Sequence, residues 1–218
     1  MSVGASLRRA VRDFYGHSWR LLVLNAALTL FVVAVVGIGL LFSPVLVLLV
    51  LVGPLAAGLM HCAVTLAQTD ELRLGDAVAG VRALWRRGLV LGLLTLAVGA
   101  GAAFAVPFYA GIGGWWWVLA LVALNVAVLF AVVQLLLWPL AVLERDRPLS
   151  DVARDSLIGL LRRPDAVGLA LVLLAINLVG VVAGLVPFLT LTVAYSFLAA
   201  AHFALPRPEP GGTPVWPA

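Results

Sequence analysis

The side chains that could do chemistry inside the apolar stretches of this 218-residue chain are few and uncharged. Asn125, Gln134 and Asn177 are amides, each with donors and an acceptor, and they make a candidate in-span polar pocket for a neutral solute. Hydrogen bonds between helices are the rival account of the same residues, worth about 0.6 kcal/mol each. His61 and His202 have the ring chemistry for a metal or proton site, but no carboxylate accompanies them, so they read as interfacial histidines. Cys62 is the sole cysteine, which rules out an intramolecular disulfide and a cysteine metal cluster. There is no nucleotide-binding glycine loop, no paired catalytic carboxylates and no nucleophile beside a base. The sequence therefore predicts no enzyme, no catalytic residue, no cofactor and no metal.

Charge lies elsewhere. All 14 cationic side chains are Arg, the net charge is +4 and the mean hydropathy is +1.15. Beside long apolar runs, this basicity points to membrane topology rather than to nucleic acid. The pairs Arg86-Arg87 and Arg162-Arg163 are candidate contacts for anionic lipid or a protein partner.

Three runs without Asp, Glu, Lys or Arg, 21–69, 88–143 and 166–206, must hold these groups in place. They are 49, 56 and 41 residues long, and a bilayer core takes roughly 20 helical residues, so each run fits two crossings. The expected fold is all-α: a six-span transmembrane helical bundle of three hairpins, with spans near 21–42, 45–67, 88–110, 116–138, 166–184 and 186–205. Residues 21–42 are expected to stay as a first span rather than leave as a signal peptide. Ser43-Pro44, the glycines at 111–114 and a turn near Gly184 and Pro187 should separate the paired spans. Pro54, Pro107, Pro139 and Pro187 should kink or end helices. Gly180 and Gly184 form a GxxxG match that permits close helix approach.

Each hairpin is preceded by a short segment with amphipathic spacing, expected to lie as a helix in the membrane interface. The apolar faces are Leu7, Val11, Phe14 and Tyr15, then Val78, Val81 and Trp85, then Ala153, Leu157, Leu160 and Leu161. Asp76 is the expected N-cap of the second and Ser150 of the third. Every Arg falls on one side of the predicted spans, which the positive-inside rule makes the cytoplasm, with both termini there. Trp115, Trp116 and Trp117, after Phe108 and Tyr109, read as an aromatic belt at the opposite interface. Residues 1–205 form one membrane domain, and the Pro-rich tail 206–218 is expected to be disordered.

The run Gly53 to Leu59 with Trp85-Arg86-Arg87, and Leu137-Trp138-Pro139-Leu140 leading to Leu161-Arg162-Arg163-Pro164, resembles the YesL-type family of small bacterial integral membrane proteins. The membrane domains attached to some glycerophosphodiester phosphodiesterases look similar in the same way. The YesL-type resemblance implies a multi-pass protein of the bacterial cytoplasmic membrane, no catalytic residues and an accessory role. The function expected first is a non-enzymatic accessory or scaffold whose Arg-rich cytoplasmic face meets membrane lipids or a membrane-protein partner such as a transporter. The alternative is a small transporter of a neutral or amphiphilic solute.

Overall fold

A computed structural model describes residues 3–16, 18–69, 71–162, 165–183 and 193–205. Among these residues the fold is helical throughout, with no strand. In chain order the helices are α1 (Val3–Gly16), α2 (Ser18–Leu41), a 3-10 segment (Ser43–Leu51), α3 (Val52–Thr69), α4 (Leu74–Ile112), a 3-10 turn (Gly114–Trp116), α5 (Trp117–Leu143), α6 (Leu149–Arg162), α7 (Asp165–Ala183) and α8 (Val193–Ala204). Four segments, Trp19–Leu41, Ser43–Thr69, Leu74–Ile112 and Gly114–Leu143, are long and apolar enough to cross a membrane. Asp165–Asn177 and Val193–Ala204 are shorter apolar helices. The turn expected near Gly184 and Pro187, and the tail 206–218, lie outside the described residues.

The breaks fall where glycine and proline punctuate the runs. Pro44 opens the 3-10 segment, and Gly113 and Gly114 end α4 with φ of 76° and 59°, values that side chains with a Cβ rarely adopt. Beyond that turn Trp115, Trp116 and Trp117 are exposed, and Trp116 stacks on Tyr109 with centroids 6.0 Å apart. Pro107 and Pro139, expected to kink or end helices, lie inside α4 and α5.

The core is built around α3, which α4, α5 and α8 all contact. Glycines set its closest approach. A Cβ on Gly58 would lie 2.8 Å from the Ala77 carbonyl oxygen, and one on Gly80 2.7 Å from the His61 Cβ. Gly88 and Gly92 of α4 meet Gly53 of α3, so the GxxxG contact that forms here is at 88–92. The expected one, Gly180 to Gly184, ends outside the described residues.

The interfacial helices differ from expectation in a consistent way. In α1 the buried side chains are Ser6, Ala10, Asp13 and Phe14, while Val11 and Tyr15 are exposed. In the first turns of α4, Gly80 and Leu84 are buried, while Val78 and Trp85 are exposed. In α6, Val152, Ser156 and Leu160 are buried, while Leu157 and Leu161 are exposed. Each packed face sits one residue, about 100°, from the apolar stripe. The physical reason is that small and polar groups favour close helix contact, while lipid is as good a solvent for Leu and Trp as protein is.

The second of these helices is not separate. Nothing at Arg86-Arg87-Gly88 breaks a helix, so α4 runs unbroken for 39 residues, about 58 Å. Its start is also corrected: Asp76 is the third helical residue, and its carboxylate accepts the backbone N–H of Arg73 at 2.9 Å.

Arginines knit the ends of these helices together. Arg20, at the start of α2, donates to the carbonyl of Leu72 between α3 and α4. Arg147, after α5, pairs with Glu144 at 2.5 Å and with Asp155 of α6 at 2.8 Å. The hydrogen bonds it donates to Asp155 and Glu144 raise the pKa of its guanidinium above the ordinary arginine value.

Candidate functional site

Helices α4, α5, α7 and α8 line a half-open cavity of about 390 Å³, which Met60 of α3 also touches. Its walls are chiefly apolar, with Val98 and Gly99 from α4, Phe130 from α5 and Leu173 from α7. Trp138 and Phe197 close one side, their rings stacked with centroids 6.3 Å apart. Four polar side chains interrupt this lining: Thr95, Gln134, Asn177 and Ser196. Among the described lining residues none has an ionisable side chain.

The polar groups form two pairs. Gln134 Nε2 donates to Thr95 Oγ1 at 3.1 Å, and the Thr95 hydroxyl donates to the carbonyl of Leu91 at 2.8 Å. Asn177 Nδ2 donates to the carbonyl of Leu173 and to Ser196 Oγ, each at 2.8 Å. Gln134 is 8% exposed, and its Oε1 has no hydrogen-bond partner among the described residues.

No protein family, curated protein or solved structure matches this chain.

Of the three amides expected to share a pocket, Gln134 and Asn177 line one cavity and Asn125 does not. Asn125 is exposed on α5 and donates to the carbonyl of Leu121, one turn back along its own helix, at 2.8 Å. The sequence reading did not find Thr95 and Ser196. A lone hydroxyl in an apolar helix bonds its own backbone by default, so only tertiary placement could reveal its second partner.

The two histidines have different neighbours. His61 lines a second cavity of about 230 Å³ with Thr65, Gln68 and Arg145. His202 Nε2 meets Asp13 Oδ2 at 2.8 Å, with both side chains almost fully buried between α8 and α1. The carboxylate missing from the sequence reading thus comes from the N-terminal helix, 189 positions away, where no local signal marks it. Among the described residues no group of three His, Cys, Asp or Glu could hold a metal.

The arginine pairs divide. Arg86 is exposed, with its guanidinium 5.5 Å from the Trp85 ring centroid. Arg87 turns inward and donates to the carbonyls of Ala141 and Glu144, each at 3.1 Å, and to that of Arg147. It thereby satisfies carbonyls that the C-terminus of α5 leaves open. Arg162 is exposed, and Arg163 lies outside the described residues. Arg87→Ala should therefore cost about 1.5–3 kcal/mol of stability by removing charge-assisted bonds, whereas Arg86→Ala should stay within about 0.5 kcal/mol. Thermal unfolding of the two variants side by side checks this, and equal midpoints would refute the division.

Proposed function

We propose that this chain is a six-span, non-enzymatic membrane protein that holds a neutral amphiphile in the cavity between α4, α5, α7 and α8. One observation carries the proposal: a mostly apolar cavity of about 390 Å³ whose described lining holds four polar side chains, Gln134 buried among them, and no ionisable group. That volume is in the range of small-molecule sites, and the absence of a counter-ion from the lining would penalise a charged ligand. The transporter of a neutral or amphiphilic solute thus moves ahead of the pure scaffold. In this reading the Arg-bearing ends of the helices face the cytoplasm of a bacterial inner membrane, with both termini on that side.

A second reading is supported by Arg86 and Arg162. Both are exposed, and Trp85 lies exposed beside Arg86, a combination suited to anionic headgroups at an interface. It complements the cavity rather than competing with it, and the accessory role implied by the YesL-type resemblance would be exercised there.

Gly99 provides the test. It lines the cavity, and a Cβ built on it has nothing within 4 Å. Gly99→Leu has room for its Cβ and should project its side chain into the cavity, leaving the thermal midpoint unchanged or higher, since glycine is a poor helix former. A brominated decanol should quench the cavity-lining Trp138 in the wild type, isolated by comparison with Trp138→Phe. It should lose that quenching in Gly99→Leu. Quenching that survives the substitution would defeat the proposal.

A further inference from the structure

We infer that the smaller cavity, at the ends of α3 and α5, binds a phosphate group, which Arg145 and a polar face of α3 hold between them. It shares no lining residue with the cavity at Trp138 and does not depend on that reading. His61, Thr65 and Gln68 recur at i, i+4 and i+7, which sets them along one face of α3. Ala83 and Leu84 of α4 form a second wall, and Val142, Leu143 and Arg145 a third.

Among the described residues none of these four polar side chains has a hydrogen-bond partner, and Arg145 makes no ion pair. His61 and Thr65 are half-buried with their polar atoms still accessible, and Gln68 and Arg145 are exposed. The helix-end carbonyls that could occupy them already have other donors. Arg87 takes those of Ala141 and Glu144, and the Thr69 hydroxyl takes that of Thr65 at 2.8 Å. Asp76, the carboxylate whose field reaches His61, is outside the lining and accepts the Arg73 N–H.

A guanidinium only donates and is always charged, so the site repels a cation and suits an oxyanion. Thr65, Gln68 and His61 can each turn a donor towards the same anion, the imidazole in either tautomer. These donors stand on separate walls, which the tetrahedral oxygens of a phosphate reach together, whereas a carboxylate presents two oxygens in one plane. At about 230 Å³ the cavity is smaller than the roughly 300–1,000 Å³ of whole small-molecule sites, a size for a lipid headgroup or the free ion.

The full-length protein in uncharged maltoside detergent is titrated by calorimetry with dihexanoyl phosphatidate, inorganic phosphate and octanoate. Phosphatidate or phosphate should bind, and octanoate at least about tenfold more weakly. Binding of phosphatidate alone assigns the site to a headgroup, and equal binding of phosphate assigns it to the free ion; either supports the inference. A hydrogen bond to a charged group corresponds to about ten- to 150-fold in binding. Arg145→Gln should therefore weaken the bound probe by at least about tenfold with an unchanged thermal midpoint, since its side chain is exposed and bonds nothing. Thr65→Val and Gln68→Leu should each weaken it about as much without altering net charge, which separates a built site from a charged surface. Arg154→Gln, which removes an exposed charge outside the cavity, should leave binding unchanged. The inference is overturned if neither phosphate probe binds, if octanoate binds as tightly, or if Arg154→Gln matches Arg145→Gln. Wild-type affinity in both α3 variants would overturn it as well.

Discussion

Replacing Gly53 or Gly92 by nothing larger than alanine should prevent α3 and α4 from crossing. A Cβ on Gly53 would lie 2.2 Å from the Gly88 carbonyl oxygen and 2.8 Å from the Gly92 Cα. One on Gly92 would lie 2.4 Å from the Gly53 Cα. These neighbours are backbone atoms, so no side-chain rotation relieves the clash and the helices must separate. Separation also breaks the contacts further along the pair, where Gly58 meets Ala77 and Val81, and Gly80 meets His61. Between helices in lipid such van der Waals contact is a main source of association energy. The expected loss exceeds about 3 kcal/mol, the upper part of the range for overpacking. Gly101→Ala is the control on the same helix, because its Cβ would have nothing within 4 Å. It should be neutral or raise stability by up to about 1 kcal/mol. Thermal unfolding in detergent distinguishes them, and similar midpoints for Gly92→Ala and Gly101→Ala would refute the account.

Asp13→Ala should loosen α1 from the bundle. Asp13 and His202 have side chains 7% and 9% exposed and meet at 2.8 Å. Removing one member of a buried polar pair costs about 2–4 kcal/mol, because the other keeps its desolvation penalty without the compensating contact. The neighbouring contacts are weaker: the Tyr195 hydroxyl reaches the Leu7 carbonyl at 3.4 Å, and Phe14 meets the Tyr195 ring edge-on at 6.5 Å. The released helix should unwind enough for trypsin to cleave after Arg8 and Arg12, whose side chains are already exposed, on the timescale of local opening. Asp13→Asn, which keeps a polar group of the same size opposite Nε2, should show a smaller effect. Joint replacement of both residues by leucine should recover much of the loss, since two apolar groups leave no buried polar atom wanting. Unaltered cleavage and midpoint in Asp13→Ala would mean the pair does not hold α1.

The legible part of this protein is what one-dimensional chemistry controls. Charge-free length predicts apolar helices. Ser43-Pro44 and the glycines after Tyr109 mark breaks because backbone restriction is local, and the structure breaks there. Faces were harder. The apolar stripe of an amphipathic helix locates its core side only where water is the alternative solvent. Here Val11, Val78 and Leu157 are exposed, and Ala10, Ala77 and Ser156 pack instead. The amide pocket was two-thirds readable for a related reason. Gln134 and Asn125 are nine residues apart on α5, too far round the helix to share a face, and only Gln134 meets another helix. The Asp13–His202 pair could not be read locally, since it joins the first helix to the last described one.

One property of α4 has a mechanical meaning. Its N-terminal half is clamped against α3 as far as Gly92, and among the described residues its buried positions end at Leu91. The C-terminal half, some 20 residues or about 30 Å to Ile112, extends beyond that clamp as a two-helix arm with α5. A beam fixed at one end deflects least at its root and most at its tip. Thr95, Val98 and Gly99 stand at that root, and the tryptophans at 115–117 follow the tip. A bend that leaves the cavity wall nearly in place therefore swings the aromatic turn furthest, which makes those indoles the natural position from which to read strain in the bundle.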